Sequence, residues 1–166
     1  MRIVTYIILG ILILVFFTAL NNYNTGKDIM DYPIRALQHA NVQHLLANGV
    51  SLFALSFMEE IIGWGQFLFA ILFIWIVSSI ILLVIHTVFP SRKVHTVGFS
   101  GVIFGLFVVY FSLLGKGPGV TLAGLVISIL PQLLTPGISF EGHLAGIFAG
   151  IIYVMLFPVK KKIATQ

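Results

Sequence analysis

The sequence predicts an all-α polytopic membrane protein, a bundle of six transmembrane helices forming a single membrane-embedded domain over residues 1–166. Three observations carry that prediction: hydrophobic residues make up 59% of the chain, charged residues only 8%, and the apolar residues gather in six runs divided by polar or Gly/Pro-rich breaks. Soluble domains are roughly a quarter charged, and a helix needs about 20 apolar residues to cross a hydrocarbon core. No separate soluble domain fits in what remains. There is no cysteine, so neither a disulfide framework nor a thiolate zinc site is available. The formal charge of +4 does not argue for nucleic acid, because three of the nine basic residues are Lys160, Lys161 and Lys162, directly after the last run. A cytoplasmic membrane flank accounts for them.

The first span is expected at about 3–20, "IVTYIILGILILVFFTAL", and a polar loop of about twenty residues with Lys27, Asp28, Asp31, Pro33 and Arg35 follows it. A signal peptide is the alternative, but "TALNN" lacks the A-x-A pattern of a cleavage site. The second span is expected at about 42–58, closed by Glu59 and Glu60, and the third, the longest, at about 67–89 before "PSRKVHT". The fourth covers about 98–114 and ends at "GKGPG"; the fifth covers about 119–134, with Pro131 near its end; the sixth covers about 142–157 after "TPGISFE". Several runs are short for a full crossing, which suggests local thinning of the bilayer or helices that stop below an interface. No long segment precedes the first span, so no regulatory soluble domain is expected.

An even number of spans puts both termini on one side. Arg2, Lys116 and the lysine triplet then stand against Lys27, Arg35, Arg92 and Lys93, five basic residues against four. The triplet decides for cytoplasmic termini in the cell membrane. The second, fourth and sixth spans then begin at the same outer level, with "HANVQHLLAN", "GFSG" and "EGHLAG" in their first turns. Polar groups at one depth in an otherwise apolar bundle mark a functional site.

His44 and Asn48 are four apart and share a helix face, whereas His39 and His44, five apart, turn away from each other on a helix. That spacing, the lack of an H-E-x-x-H pattern, and acids confined to loops or span ends (Asp28, Asp31, Glu59, Glu60, Glu141) argue against a metal. Ser100 and His143 form the natural pair of nucleophile and base, since a serine attacks a carbonyl only when a neighbour accepts its proton. At the start of a helix the Ser100 N–H lacks an intrahelical partner and is free to donate to an oxyanion, with His44 and Asn48 as further donors. Gly101 and Gly105 on the fourth span, with Gly142, Gly146 and Gly150 on the sixth, allow the two helices the close approach that a direct Ser–His bond requires. Taken singly, each of these residues is ordinary helix-packing material; the coincidence of four at one depth is what packing explains poorly. His86 and His95 are expected at the interface, His95 being an alternative base, Trp64 in an interfacial aromatic belt, and Trp75 in a lipid or core contact.

Over about residues 32–158 these residues resemble the rhomboid intramembrane serine proteases. The likeness rests on H-x-x-x-x-H-x-x-x-N as His39, His44 and Asn48, G-x-S-G as Gly98 to Gly101, and the late His-x-x-Gly of "GHLAGIFAG". It implies a six-helix core in which Ser100 is the nucleophile and His143 the base of a dyad without a carboxylate. His44, Asn48 and the Ser100 N–H would hold the oxyanion, and Phe104 would pack on His143 where many members have tyrosine. Its partners would be transmembrane protein substrates in the lipid bilayer, cut near the outer face, with no cofactor. The family's Trp-Arg pair is represented by Arg35 alone, and its Glu-x-Arg by Glu60 with Ile62 in the arginine place, which puts stability and loop packing in question. Inactive relatives bind membrane proteins without cutting them, and that is the alternative function; a small transporter would need mid-membrane ionisable groups and internal repeats that the pattern lacks. The short fifth span and the "TPGISFE" connection suggest a lateral gate. Substrate identity, cleavage preference and oligomeric state are not legible in the sequence.

Overall fold

A computed structural model describes residues 2–25, 28–90, 96–134 and 138–159. Among them are eight α-helices and no strand: α1 (Ile3–Phe16), α2 (Asp28–Arg35), α3 (Val42–Leu55), α4 (Phe57–Ile62), α5 (Trp64–Val88), α6 (Ser100–Leu113), α7 (Pro118–Ile129) and α8 (Phe140–Leu156). Six of them, α1, α3, α5, α6, α7 and α8, run alternately up and down the bundle. Cross-contacts fix the alternation. Arg2, just before α1, reaches Ser56 and Glu60 beside α4, and Tyr153 late in α8 donates to the Gln66 carbonyl at the start of α5. Both ends of the described chain therefore lie at one end of the bundle. At the other, Asn21 pairs with the backbone of His39, and Tyr32 of α2 bonds His86 at the close of α5.

The solvent-facing side of these helices is apolar. Along α5, Phe69, Leu72, Ile76, Ile80, Val84 and Val88 recur every three or four residues and are all exposed, the stripe that a helix in water would make polar. The stretches Val42–Ile62 and Trp64–Val88 are long and apolar enough to cross a membrane. At 1.5 Å per residue α5 is about 38 Å long and α6 about 21 Å, so the inner helix ends well short of a full crossing.

Helices α6 and α8 meet backbone to backbone. A Cβ on Gly146 would collide with the Gly101 carbonyl, one on Gly150 would stand 2.6 Å from the Gly105 carbonyl oxygen, and one on Gly101 2.9 Å from that of Gly142. Without side chains between them, the helices come close enough for groups on their first turns to bond directly.

Several expectations need correction. Helix α1 stops at Phe16, followed by a 3-10 turn over Ala19–Asn22, and α7 gives way at Ile129 to a 3-10 turn over Leu130–Leu134. The polar stretch expected as loop contains α2, whose last residues turn inward: Trp75 packs against the core, one of the two contacts expected of it, and also donates to the Pro33 carbonyl at 2.9 Å. His86, expected at the interface, stands in the last turn of α5, 2% exposed and bonded to Tyr32. Glu59 stands near the end of the second span as expected, but buried: it is 2% exposed within α4 and accepts from the Val4 and Thr5 N–H groups and from Thr5 Oγ1. It thus caps α1 from another helix, where an anion also meets the positive end of the helix dipole. Glu60 takes its ion pair from Arg2 at 3.3 Å, the arginine coming from the far end of the sequence rather than from position 62.

Candidate active site

Asn41 sets the first wall. Its side chain accepts from the His44 N–H at 2.8 Å, which starts α3 there and places His44 and Asn48 one turn apart on the face towards α6. His39 precedes the helix, so helical spacing does not separate the two histidines: their rings meet edge to face with centroids 5.1 Å apart. Among the described residues no three His, Cys, Asp or Glu side chains gather as a metal site would need.

The approach to α6 is pinned from two sides. The Gly98 N–H donates to the Arg35 carbonyl at 3.0 Å, so the end of α2 holds the turn that delivers Ser100. Gly98 itself has φ +112°, and a Cβ there would stand 2.6 Å from His44 Nε2 and 3.3 Å from Asn48 Nδ2. Only glycine both adopts that conformation and leaves room for the His44 ring and the Asn48 amide. On the other side Thr96 Oγ1 donates to Ser139 Oγ at 3.1 Å, and Ser139 caps α8 by accepting from the Gly142 N–H at 3.0 Å. The clasp brings the first turns of α6 and α8 to one level.

There His143 Nε2 lies 2.7 Å from Ser100 Oγ, and His143 Nδ1 lies 2.6 Å from Gln132 Oε1. Phe104, one turn into α6, stacks on the imidazole with ring centroids 4.4 Å apart and planes 32° apart. Gly101 and Gly146 make up the seam beneath. Ser100 is the first residue of α6, where an N–H has no carbonyl a turn earlier in the helix to bond. Asn48 is 4% exposed and its Nδ2 has no partner. His44, Asn48, Gly98, Ser100, Phe104 and His143 line one cavity of about 840 Å³, together with Ala47, Ser51, Ser78 and Phe107. An oxygen nucleophile, an imidazole beside it and unused donors around an open volume are the parts required for acyl transfer.

The structure brings together Ser100, His143, His44, Asn48, Phe104, Gly98, Gly101 and Gly146. His95 lies outside the described residues. Sequence reasoning missed Gln132, whose signal was a lone amide in the apolar run "VISILPQLL", and the Thr96–Ser139 clasp, which has no local signal because its halves are 43 residues apart.

The family model for the Rhomboid domain matches residues 27–159. Over 161 residues the chain is 58% identical to a protein of Acanthamoeba polyphaga mimivirus, provisionally named as a rhomboid protein, covering 97% of this chain and 94% of that one. It is 32% identical over 140 residues to an uncharacterized protein of Mycobacterium tuberculosis, covering 75% of this chain and 58% of the relative. A Bacillus subtilis protein, provisionally named as a rhomboid protease, is 31% identical over 135 residues, covering 76% of this chain and 66% of its own length. The chain belongs to the rhomboid family of membrane proteins.

Proposed function

We propose that this rhomboid is an intramembrane serine endopeptidase that hydrolyses peptide bonds in or near the transmembrane segments of other membrane proteins. The observation that carries the reading is the 2.7 Å contact between Ser100 Oγ and His143 Nε2 in the lining of a cavity of about 840 Å³. Ser100 Oγ attacks the scissile carbonyl carbon while His143 Nε2 takes its proton. The oxyanion forms against the Ser100 N–H, Asn48 Nδ2 and His44, residues that line the cavity beside Ser100. Collapse breaks the C–N bond, and His143 returns the proton to the departing amine. Water entering the cavity then attacks the acyl-serine, with His143 again taking a proton and passing it to Ser100. No cofactor or metal enters the scheme.

The reading includes a single domain of six spans, with both termini cytoplasmic and the cavity towards the outer face of the cell membrane. The alternate direction of the six longer helices supports it, as does the lysine triplet at 160–162. The short α6 supports it too: its first turn lies below the level that α5 reaches, so water from outside can meet Ser100 without crossing hydrocarbon.

Fluorophosphonate labelling of the purified protein in lipid tests the chemistry. Wild type is expected to label, Ser100→Ala and His143→Ala are not, and a reconstituted transmembrane substrate is cleaved by wild type alone. Absence of labelling in a folded protein, with the probe active on a known relative, would replace the protease with a binder of membrane proteins.

A further inference from the structure

We propose that Gln132 is the positioning residue of the base: its side-chain oxygen holds His143 in the one tautomer and ring orientation that can accept the Ser100 proton. This rests on the protease reading and adds to it a residue the dyad alone does not contain.

The chemistry of the contact leaves little freedom. An amide oxygen only accepts, so the 2.6 Å approach of Gln132 Oε1 to His143 Nδ1 requires the proton on Nδ1. In neutral imidazole the other nitrogen then carries the lone pair, and that nitrogen is the one 2.7 Å from Ser100 Oγ. Phe104 fixes the plane of the ring but not its rotation within that plane; a stacked imidazole can turn over and present carbon to the serine. The bond to Gln132 removes that alternative. When Nε2 takes the serine proton the ring becomes a cation, and the Nδ1–H bond to Oε1 becomes charge-assisted, strengthening in the step where charge develops.

The packing around the turn also holds the amide in place. Gln132 lies on the 3-10 turn Leu130–Leu134, next to Ile129, which is fully buried in a cluster with Val108 and Ile147. Gln132 itself is half-buried, and its neutral amide supplies the acceptor without adding a second charge beside the ring. The packed Ile129 holds the turn in register, so the acceptor arrives from a different element than those carrying Ser100 and His143.

The test uses the full chain in lipid, with Gln132→Met (similar length, no acceptor) and Gln132→Glu (acceptor retained). Losing a hydrogen bond to a group that becomes charged costs about tenfold in rate. Gln132→Met is therefore expected to slow the inactivation rate constant of the fluorophosphonate about tenfold at unchanged probe half-saturation, and Gln132→Glu to recover most of the loss. In ¹⁵N-histidine spectra, with the resonance assigned by its disappearance in His143→Ala, wild type should show the Nδ1–H tautomer and Gln132→Met a mixture. Wild-type labelling rates and an unchanged tautomer in Gln132→Met would overturn the proposal. Equal losses in both variants, together with a lowered thermal midpoint, would also overturn it in favour of packing. A wild type that does not label would sink the protease reading instead, and the tautomer spectra would still judge the Gln132 bond.

Discussion

At the end of the bundle where α1 begins, Glu59 is 2% exposed and its two carboxylate oxygens accept three hydrogen bonds, from Val4, Thr5 and the Thr5 hydroxyl. At the opposite end Asn48 is 4% exposed, its Nδ2 donates to nothing, and it faces a cavity of about 840 Å³. Both ends bury a polar side chain in an apolar bundle, yet only the first satisfies it. Leaving a buried donor unpaired costs stability, by about 1–3 kcal/mol. What sets Asn48 apart is its place in the cavity beside Ser100 and His143, where a bound group could complete its bonding. On the proposed function, the difference separates groups that hold the molecule together from groups that would receive an oxyanion.

Substitutions at the two ends should therefore split between activity and stability. The largest effect is expected from Ser100→Ala, which removes fluorophosphonate labelling altogether while leaving the thermal midpoint in detergent unchanged; a large fall in the midpoint would mean that the hydroxyl is structural. Next is Glu59→Ala, which strands two buried N–H groups and uncaps α1. A loss of about 3 kcal/mol is expected on the per-group cost above, read as a lower thermal midpoint, with the labelling rate per folded molecule unaltered. Asn48→Ala inverts that outcome. Removing one oxyanion donor costs on the order of 100-fold in turnover, and because the donor it deletes has no partner the thermal midpoint should not fall. A variant at position 48 that is destabilised and fully active would erase the distinction between the ends.

The sequence made the architecture legible where a single local property decided it. Uninterrupted apolar runs gave six of the helices to within a few residues, and "GFSG", "HANVQHLLAN" and "EGHLAG" pointed to the residues that line the cavity, because the polar residues of those spans stand in their first turns. What escaped depends on pairings between distant residues. Nothing near position 59 says that its carboxylate meets the N–H groups of residues 4 and 5, and nothing near Trp75 says that it will donate to Pro33. The separation of His39 from His44 went wrong for a local reason. Helical spacing was applied across a helix start, and Asn41, the capping residue between them, was the sign that it did not hold.

That histidine pair supplies the smallest predicted effect, and it sharpens the comparison by asking whether the open end is also the acid-sensitive one. His39 lies outside the spanning helices, in the stretch between α2 and α3. Burial, reinforced by the neighbouring His44 and opposed by the Leu37 carbonyl, lowers its pKa from 6.5 to about 4. The unfolded chain therefore binds a proton on His39 near pH 6 that the folded chain refuses. The stability tied to a neutral His39 is present above pH 6.5 and is lost as pH falls from there towards about 4. His39→Gln cannot titrate, so its thermal midpoint should fall less between pH 7 and pH 4.5 than that of wild type, even if it starts lower through the loss of the Leu37 contact. Parallel curves for the two proteins would move the acid sensitivity elsewhere in the bundle and leave His39 as a packing group.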